Sequence, residues 1–162
     1  MDKKVIGLIV ISVIFIISVV FAALSVTKLV LLAGYDKASV GIGTAVFSAD
    51  IADTESERDK GLSGRSSMAD DRAMLFRFNN PSVPVFWMKD MKFPLDIIWI
   101  RSGRVVGYVT DIYPEPGISE KDIKRYSPPT PVDMVLEAPA GSVGRHGISI
   151  GDGVTIGGKE IR

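Results

Sequence analysis

The chain opens with one unbroken apolar run and then changes character. From Val5 to Thr27 (VIGLIVISVIFIISVVFAALSVT) there is no charge and no proline, and a helix drawn through it has no polar side. Such a helix would reach about 34 Å, a little more than the roughly 30 Å hydrocarbon core of a bilayer. The run therefore predicts a single transmembrane helix, because in lipid a lone segment satisfies its backbone only as a helix. Ser12, Ser18 and Ser25 can bond back to carbonyls one turn earlier. The rival is a cleaved signal peptide, with Ala22-Ala23 or Ala33-Gly34 as cleavage positions, although its apolar core would ordinarily span about 7 to 15 residues. Lys3 and Lys4 before the run balance Lys28 and Lys37 after it. The α-amino group then favours a cytoplasmic N-terminus and an extracytoplasmic remainder, in a single-pass protein of the cell membrane.

After Gly34 the pattern shortens to strand-sized pieces punctuated by Gly and Pro, which predicts a β-rich domain. Residues 35–45 read as a linker and the start of the first strand, and 46–162 as the domain proper. Alternation of Phe47, Ala49 and Ile51 with Ser48 and Asp50 marks a half-buried strand starting near Val40. Thr54-Glu55-Ser56-Glu57 matches a capping box and Gly61 suits the exit of a short helix. Met74–Phe78 and Val83–Met88 are expected as a hairpin around Asn79-Asn80-Pro81. Leu95–Ile100 (LDIIWI) has the continuous apolar character of a central strand, turned by Ser102-Gly103 into Arg104–Ile112. Tyr113–Pro131 holds five prolines and is expected as a long loop. Val132–Glu137 predicts a strand, Ala140–His146 a short helix, and Ile148–Val154 a turn into a last strand.

Composition narrows the chemistry. There are 19 basic and 19 acidic residues overall. From Asp36 onward 16 basic face 18 acidic residues, so nothing in the balance suggests a nucleic-acid surface. The absence of Cys excludes disulfides, thiolate metal sites and a cysteine nucleophile. The lone His146 cannot supply a two-histidine metal site and reads as a solvent-facing residue. No phosphate-binding loop, nucleophile elbow or regular calcium loop is present, so no cofactor, metal or catalytic residue is assigned.

Several blocks carry a resemblance. Arg58-Asp59-Lys60-Gly61-Leu62-Ser63-Gly64-Arg65 is similar to an Arg-x-x-Gly-Leu-Met-x-Arg stretch, with Ser63 in place of methionine, and Ala73-Met74-Leu75-Phe76 to Gly-Met-Leu-Phe. Phe86-Trp87-Met88-Lys89-Asp90-Met91-Lys92-Phe93-Pro94-Leu95-Asp96-Ile97 is similar to Phe-Trp-Met-Lys-Asn-Thr-x-x-Pro-Leu-Asp-Ile, with Asp90 where asparagine is common. Val135-Leu136-Glu137 with Gly141, and Gly151-Asp152 with Val154, follow in order. From Phe47 to Val154 the chain resembles the family called "domain of unknown function 192". The resemblance implies a mainly β fold, a compact jelly-roll-like sandwich or barrel with short helices, here preceded by one transmembrane helix in residues 1–34. It implies no established reaction.

Charged residues set among apolar ones in these blocks, with Trp87 beside them, give the candidate site: Arg65, Trp87, Lys89, Asp90, Asp96 and Glu137. A buried charge must be paired to survive. The set is therefore either a pocket for an anionic or hydroxyl-rich ligand or an internal salt-bridge network fixing register. Trp99 is expected in the core and Trp87 at a cleft. The leading reading is a non-enzymatic, membrane-tethered module that binds a small molecule, an envelope component or a protein, with the bilayer as partner through Val5–Thr27. The alternative is a hydrolase or lyase using Asp96 and Glu137 as a carboxylate pair. A third is a purely structural module, which would expose a large apolar patch.

Overall fold

The computed structural model describes residues 13–21 and 35–160, and the chain divides into two units, Met1–Gly34 and Tyr35–Arg162. In the first unit residues 13–21 form a helix, α1. Ser18 donates its hydroxyl to the Phe15 carbonyl at 2.7 Å, one turn back as the serine spacing suggests. The rest of the expected Val5–Thr27 helix lies outside the described residues. Among those described, no helix is long and apolar enough to cross a membrane.

The second unit is built on a sheet of β1 (Asp36–Ile42), β2 (Ala45–Ala52), β3 (Arg72–Ser82), β5 (Leu95–Arg101), β6 (Arg104–Ile112), β8 (Val132–Pro139), β9 (Val154–Ile156) and β10 (Lys159–Glu160). Their order is β10-β9-β1-β2-β3-β8-β5-β6. A separate ribbon pairs β4 (Phe86–Trp87) with β7 (Arg125–Tyr126). Helices α2 (Glu55–Lys60) and α3 (Ser142–His146) are short. The sheet curls until β6 reaches the start of β9: Arg104 bridges Gly153, the Val105 amide donates to the Asp152 carbonyl at 3.0 Å, and the Val154 amide to that of Gly103 at 2.8 Å.

Curling gives the sheet two buried faces, and strand alternation sorts the side chains between them. The concave core holds Val40, Ile42, Phe47, Ala49, Leu75, Ile98, Ile100, Val105 and Leu136. The opposite face holds Ala52, Met74, Phe76, Ile97, Trp99 and Val135, with Leu62, Met88 and Phe86 packed over it. This is why LDIIWI is apolar without interruption: β5 is covered on both sides, between β8 and β6. Trp99 is in the core as expected, 1% exposed, its ring lying against Gly107, where a Cβ would come within 3.3 Å.

Local signals are realised where the chemistry is local. Thr54 caps α2 in a reciprocal box with Glu57, and Gly61 ends the helix. Ser102 and Gly103 both take positive φ, 48° and 67°, the geometry a two-residue hairpin requires. Other expectations need correction. The first half-buried strand is two strands, β1 and β2, paired antiparallel through a turn at Gly43. The Met74–Met88 hairpin does not form. Instead β3 runs through Asn79-Asn80-Pro81 to Ser82, with an irregular register between Arg77 and Ser82 that accommodates proline without a ladder bond. Phe86-Trp87 pairs with β7, so the expected loop 113–131 carries a strand and a 3-10 turn at Glu120–Asp122. Of the expected jelly-roll-like sandwich or barrel with short helices, the structure keeps the mainly β fold, the short helices and a barrel-like curl; in place of a two-sheet sandwich it has one curled sheet containing a parallel β2–β3 pair joined through α2.

Candidate functional site

The covered convex face is not completely filled. A cleft of about 600 Å³ lies over it, lined by Leu62, Phe76, Phe78, Phe86, Trp87 and Met91, with Arg58, Lys60 and Arg125 among its charged residues and Glu137 also part of its lining. Aromatic packing sets its wall: Phe86 meets Phe76 edge-on at 5.0 Å and tilts against Trp99 at 5.7 Å. Trp87 carries a cation on its ring from Arg125 at 4.5 Å and another from Lys89 at 5.4 Å. Such stacking holds a half-buried indole in place at the cleft edge.

Register explains how a carboxyl reaches this apolar place. Asp50 pairs with Met74, Met74 with Glu137, and Glu137 with Ile97, so Asp50, Met74, Glu137 and Ile97 form one row across the convex face. Asp50 is neutralised by two guanidinium groups, Arg65 at 2.8 Å and Arg72 at 2.6 Å, and Arg65 also lies over the Tyr35 ring. Glu137 has no such partner. It is 6% exposed, no hydrogen bond to its carboxyl is formed among the described residues, and burial pushes its pKa up to about 8, against a smaller lowering by the Arg65 charge. Burial thus favours the protonated acid at neutral pH, in an aromatic cleft, the pattern by which perturbed groups mark binding and catalytic sites.

The remaining sequence candidates fall elsewhere. Asp96 is fully buried, and its register partner is Ala138 rather than Glu137, which places it on the concave face. Its carboxylate accepts the amides of Asp111 at 2.9 Å, Gly141 at 3.1 Å and Val143 at 2.8 Å. It thereby fixes the start of α3 and the positive-φ backbone of Asp111. Asp96 and Glu137 are separated by the sheet, so the carboxylate pair expected of a hydrolase or lyase does not form. Lys89 and Asp90 line a second, smaller and more polar cleft of about 260 Å³ with Glu115, Ile118 and Glu120, sharing Met91 with the first. Lys89 pairs with Glu120 at 2.7 Å, and that hydrogen bond raises its pKa. Asp90 takes φ 57°, and its carbonyl accepts the Gly64 amide at 3.1 Å. The turn explains an aspartate where asparagine also serves, since both tolerate left-handed backbone. His146 is exposed, edge-on to Phe47. Among the described residues no group of His, Asp and Glu could hold a metal ion.

Phe76, Phe86, Met91, Arg58, Lys60 and Arg125 join the cleft without having been candidates. The first three stand in the resemblance blocks as apolar residues and carry no local sign of facing a cavity. Arg125 reaches it only through the β4–β7 pairing.

Comparison with known proteins agrees on family and leaves chemistry open. The family DUF192, described as "Uncharacterized ACR, COG1430", matches residues 38–156. A crystal structure of a candidate transcription regulator from Sinorhizobium meliloti 1021 is 33% identical with a TM-score of 0.69, covering 78% of this chain and 98% of that one. A protein of unknown function from Novosphingobium aromaticivorans DSM 12444 is 32% identical, also at a TM-score of 0.69, with 76% and 88% covered. No curated protein matches the chain. With the match spanning β1 to β9 and both carboxylate-bearing strands, the chain belongs to the DUF192 family of uncharacterised proteins.

Proposed function

We propose that this protein is a membrane-tethered binding module whose extracytoplasmic β domain takes a small, largely apolar ligand in the cleft over Glu137. The observation that carries the reading is the combination in one place of an open cleft of about 600 Å³, an aromatic wall and a buried carboxyl without a hydrogen-bond partner among the described residues. A group of this kind is costly unless a ligand or water completes its bonding. Trp87 and Glu137 belong to the cleft; Arg65 anchors Asp50 beside it; Lys89 and Asp90 serve the neighbouring turn and loop. Asp96 is a structural residue in this reading, and the cleft has no second carboxylate placed for acid–base work.

The tether rests on the unbroken apolar sequence of Val5–Thr27. The regulator named for the Sinorhizobium neighbour is not carried to this chain, whose charge from Asp36 onward is slightly acidic.

Binding is tested by screening small aromatic and aliphatic compounds against the full-length chain and its Phe86→Ala and Glu137→Met variants. Hits that shift the wild-type melting temperature and lose their effect in both variants support the cleft. Hits equally active on both variants would place the ligand elsewhere.

A further inference from the structure

Resting on the reading of the cleft as a ligand site, we infer that its ligand carries a neutral carboxamide-type head, one donor beside one acceptor, on an apolar body, and that Glu137 pairs with that head at the cleft floor. Glu137 offers an unusual combination. Its neighbours in the row are Met74 and Ile97, and Phe76 and Leu62 share the lining. None of these supplies a hydrogen bond, yet the carboxyl keeps its 6% exposure at the cleft. A protonated carboxyl presents an O–H donor and a carbonyl acceptor side by side. A primary amide or lactam matches both: its carbonyl accepts the Glu137 O–H, and its N–H donates to the Glu137 carbonyl. An apolar ligand without such a head would leave both positions unmade.

Charge around the site argues against ionic heads. Arg58 and Lys60 from α2 and Arg125 from β7 line the cleft, outnumbering Asp59 of α2, and Arg65 acts on Glu137 from the loop after α2. A cationic head would meet these like charges. An anionic head drawn to Arg58, Lys60 or Arg125 would not sit at Glu137, on which the acting charge is Arg65, and that guanidinium is held by Asp50 at 2.8 Å, itself shared with Arg72. Of these charges it is Arg65 that acts on Glu137 as it titrates. Ionisation removes its donor, so affinity for an amide should fall with rising pH.

The test uses 3-phenylpropanamide, its N,N-dimethyl analogue, which has no N–H donor, and 3-phenylpropylamine as the cation, titrated calorimetrically into the full-length chain. The primary amide is expected to bind about tenfold more tightly than the dimethyl amide, and the amine more weakly than the amide. Glu137→Met should erase the difference between the two amides, and Glu137→Gln, which keeps a donor and an acceptor, should retain it. Affinity of the wild type for the primary amide should drop between about pH 6 and about pH 9.5, whereas Glu137→Gln stays level. Equal binding of the two amides, or a difference that survives Glu137→Met, would overturn the amide assignment and leave the cleft as an apolar site. Failure of all three probes to bind would overturn the assignment and count against the cleft reading as well.

Discussion

Two buried acids in adjacent strands behave as opposites, and the difference is hydrogen bonding. Asp96 is ringed by three amide donors, so its charge is compensated and its burial is structural. Replacing it with alanine leaves those amides unsatisfied and should cost about 3 kcal/mol, read as a lower urea midpoint. Glu137 is uncompensated. Its folded-state pKa is about 8 against an ordinary 4.5, so the stability tied to its proton is complete below about pH 4.5 and is lost as pH rises through 8. The slope in that window approaches about 1.4 kcal/mol per unit for one proton. Glu137→Gln removes the titration with little change of shape. The variant should melt with the wild type near pH 4.5 and above it near pH 9; an equal offset at both values would mean that Glu137 is not held protonated.

Elements built from short-range chemistry were readable in the sequence. Thr54 and Glu57 announce α2, and Glu57 has its pKa lowered chiefly by the Thr54 hydroxyl. Thr54→Ala should cost about 1 kcal/mol in chemical denaturation, the ordinary value of an N-cap. Ser102-Gly103 likewise announces the β5–β6 hairpin. What could not be read is pairing between distant segments. Nothing near Asn79-Asn80-Pro81 shows that β3 continues through it, or that Phe86-Trp87 seeks Arg125-Tyr126 across the sequence. The unbroken apolar run of β5 also hides which of its residues faces which core, and so concealed that Asp96 and Glu137 point to opposite sides. Three of the six candidate residues lie at the cleft or in the row beneath it: Trp87, Glu137 and, through Asp50, Arg65. The β4–β7 ribbon and the Lys89–Glu120 pair together hold the 113–131 loop beside the cleft. Because that pair is exposed, Glu120→Ala should leave the melting temperature nearly unchanged. It should nevertheless speed hydrogen exchange at the Tyr126 amide, where the ribbon is only two residues long.

In the whole molecule the long apolar run lies in the unit Met1–Gly34 and the cleft in the unit Tyr35–Arg162. The apolar Val5–Thr27 run predicts that the full chain stays with membranes through an alkaline wash and that a reporter fused after Arg162 is protected from cytoplasmic protease. Release by the wash would remove the tether, and a cytoplasmic reporter would invert the topology while leaving the tether intact. The proposed binding rests on a sheet with two buried faces, one sealed by Phe47, Leu75 and Leu136 and one with a cleft over Glu137. The most direct measurement is a crystal structure of the protein soaked with a library of small aromatic and aliphatic fragments. Electron density for fragments over Glu137, between Leu62 and Phe86, is the predicted result. Fragments bound only at other surfaces, with the cleft holding nothing but water, would contradict it.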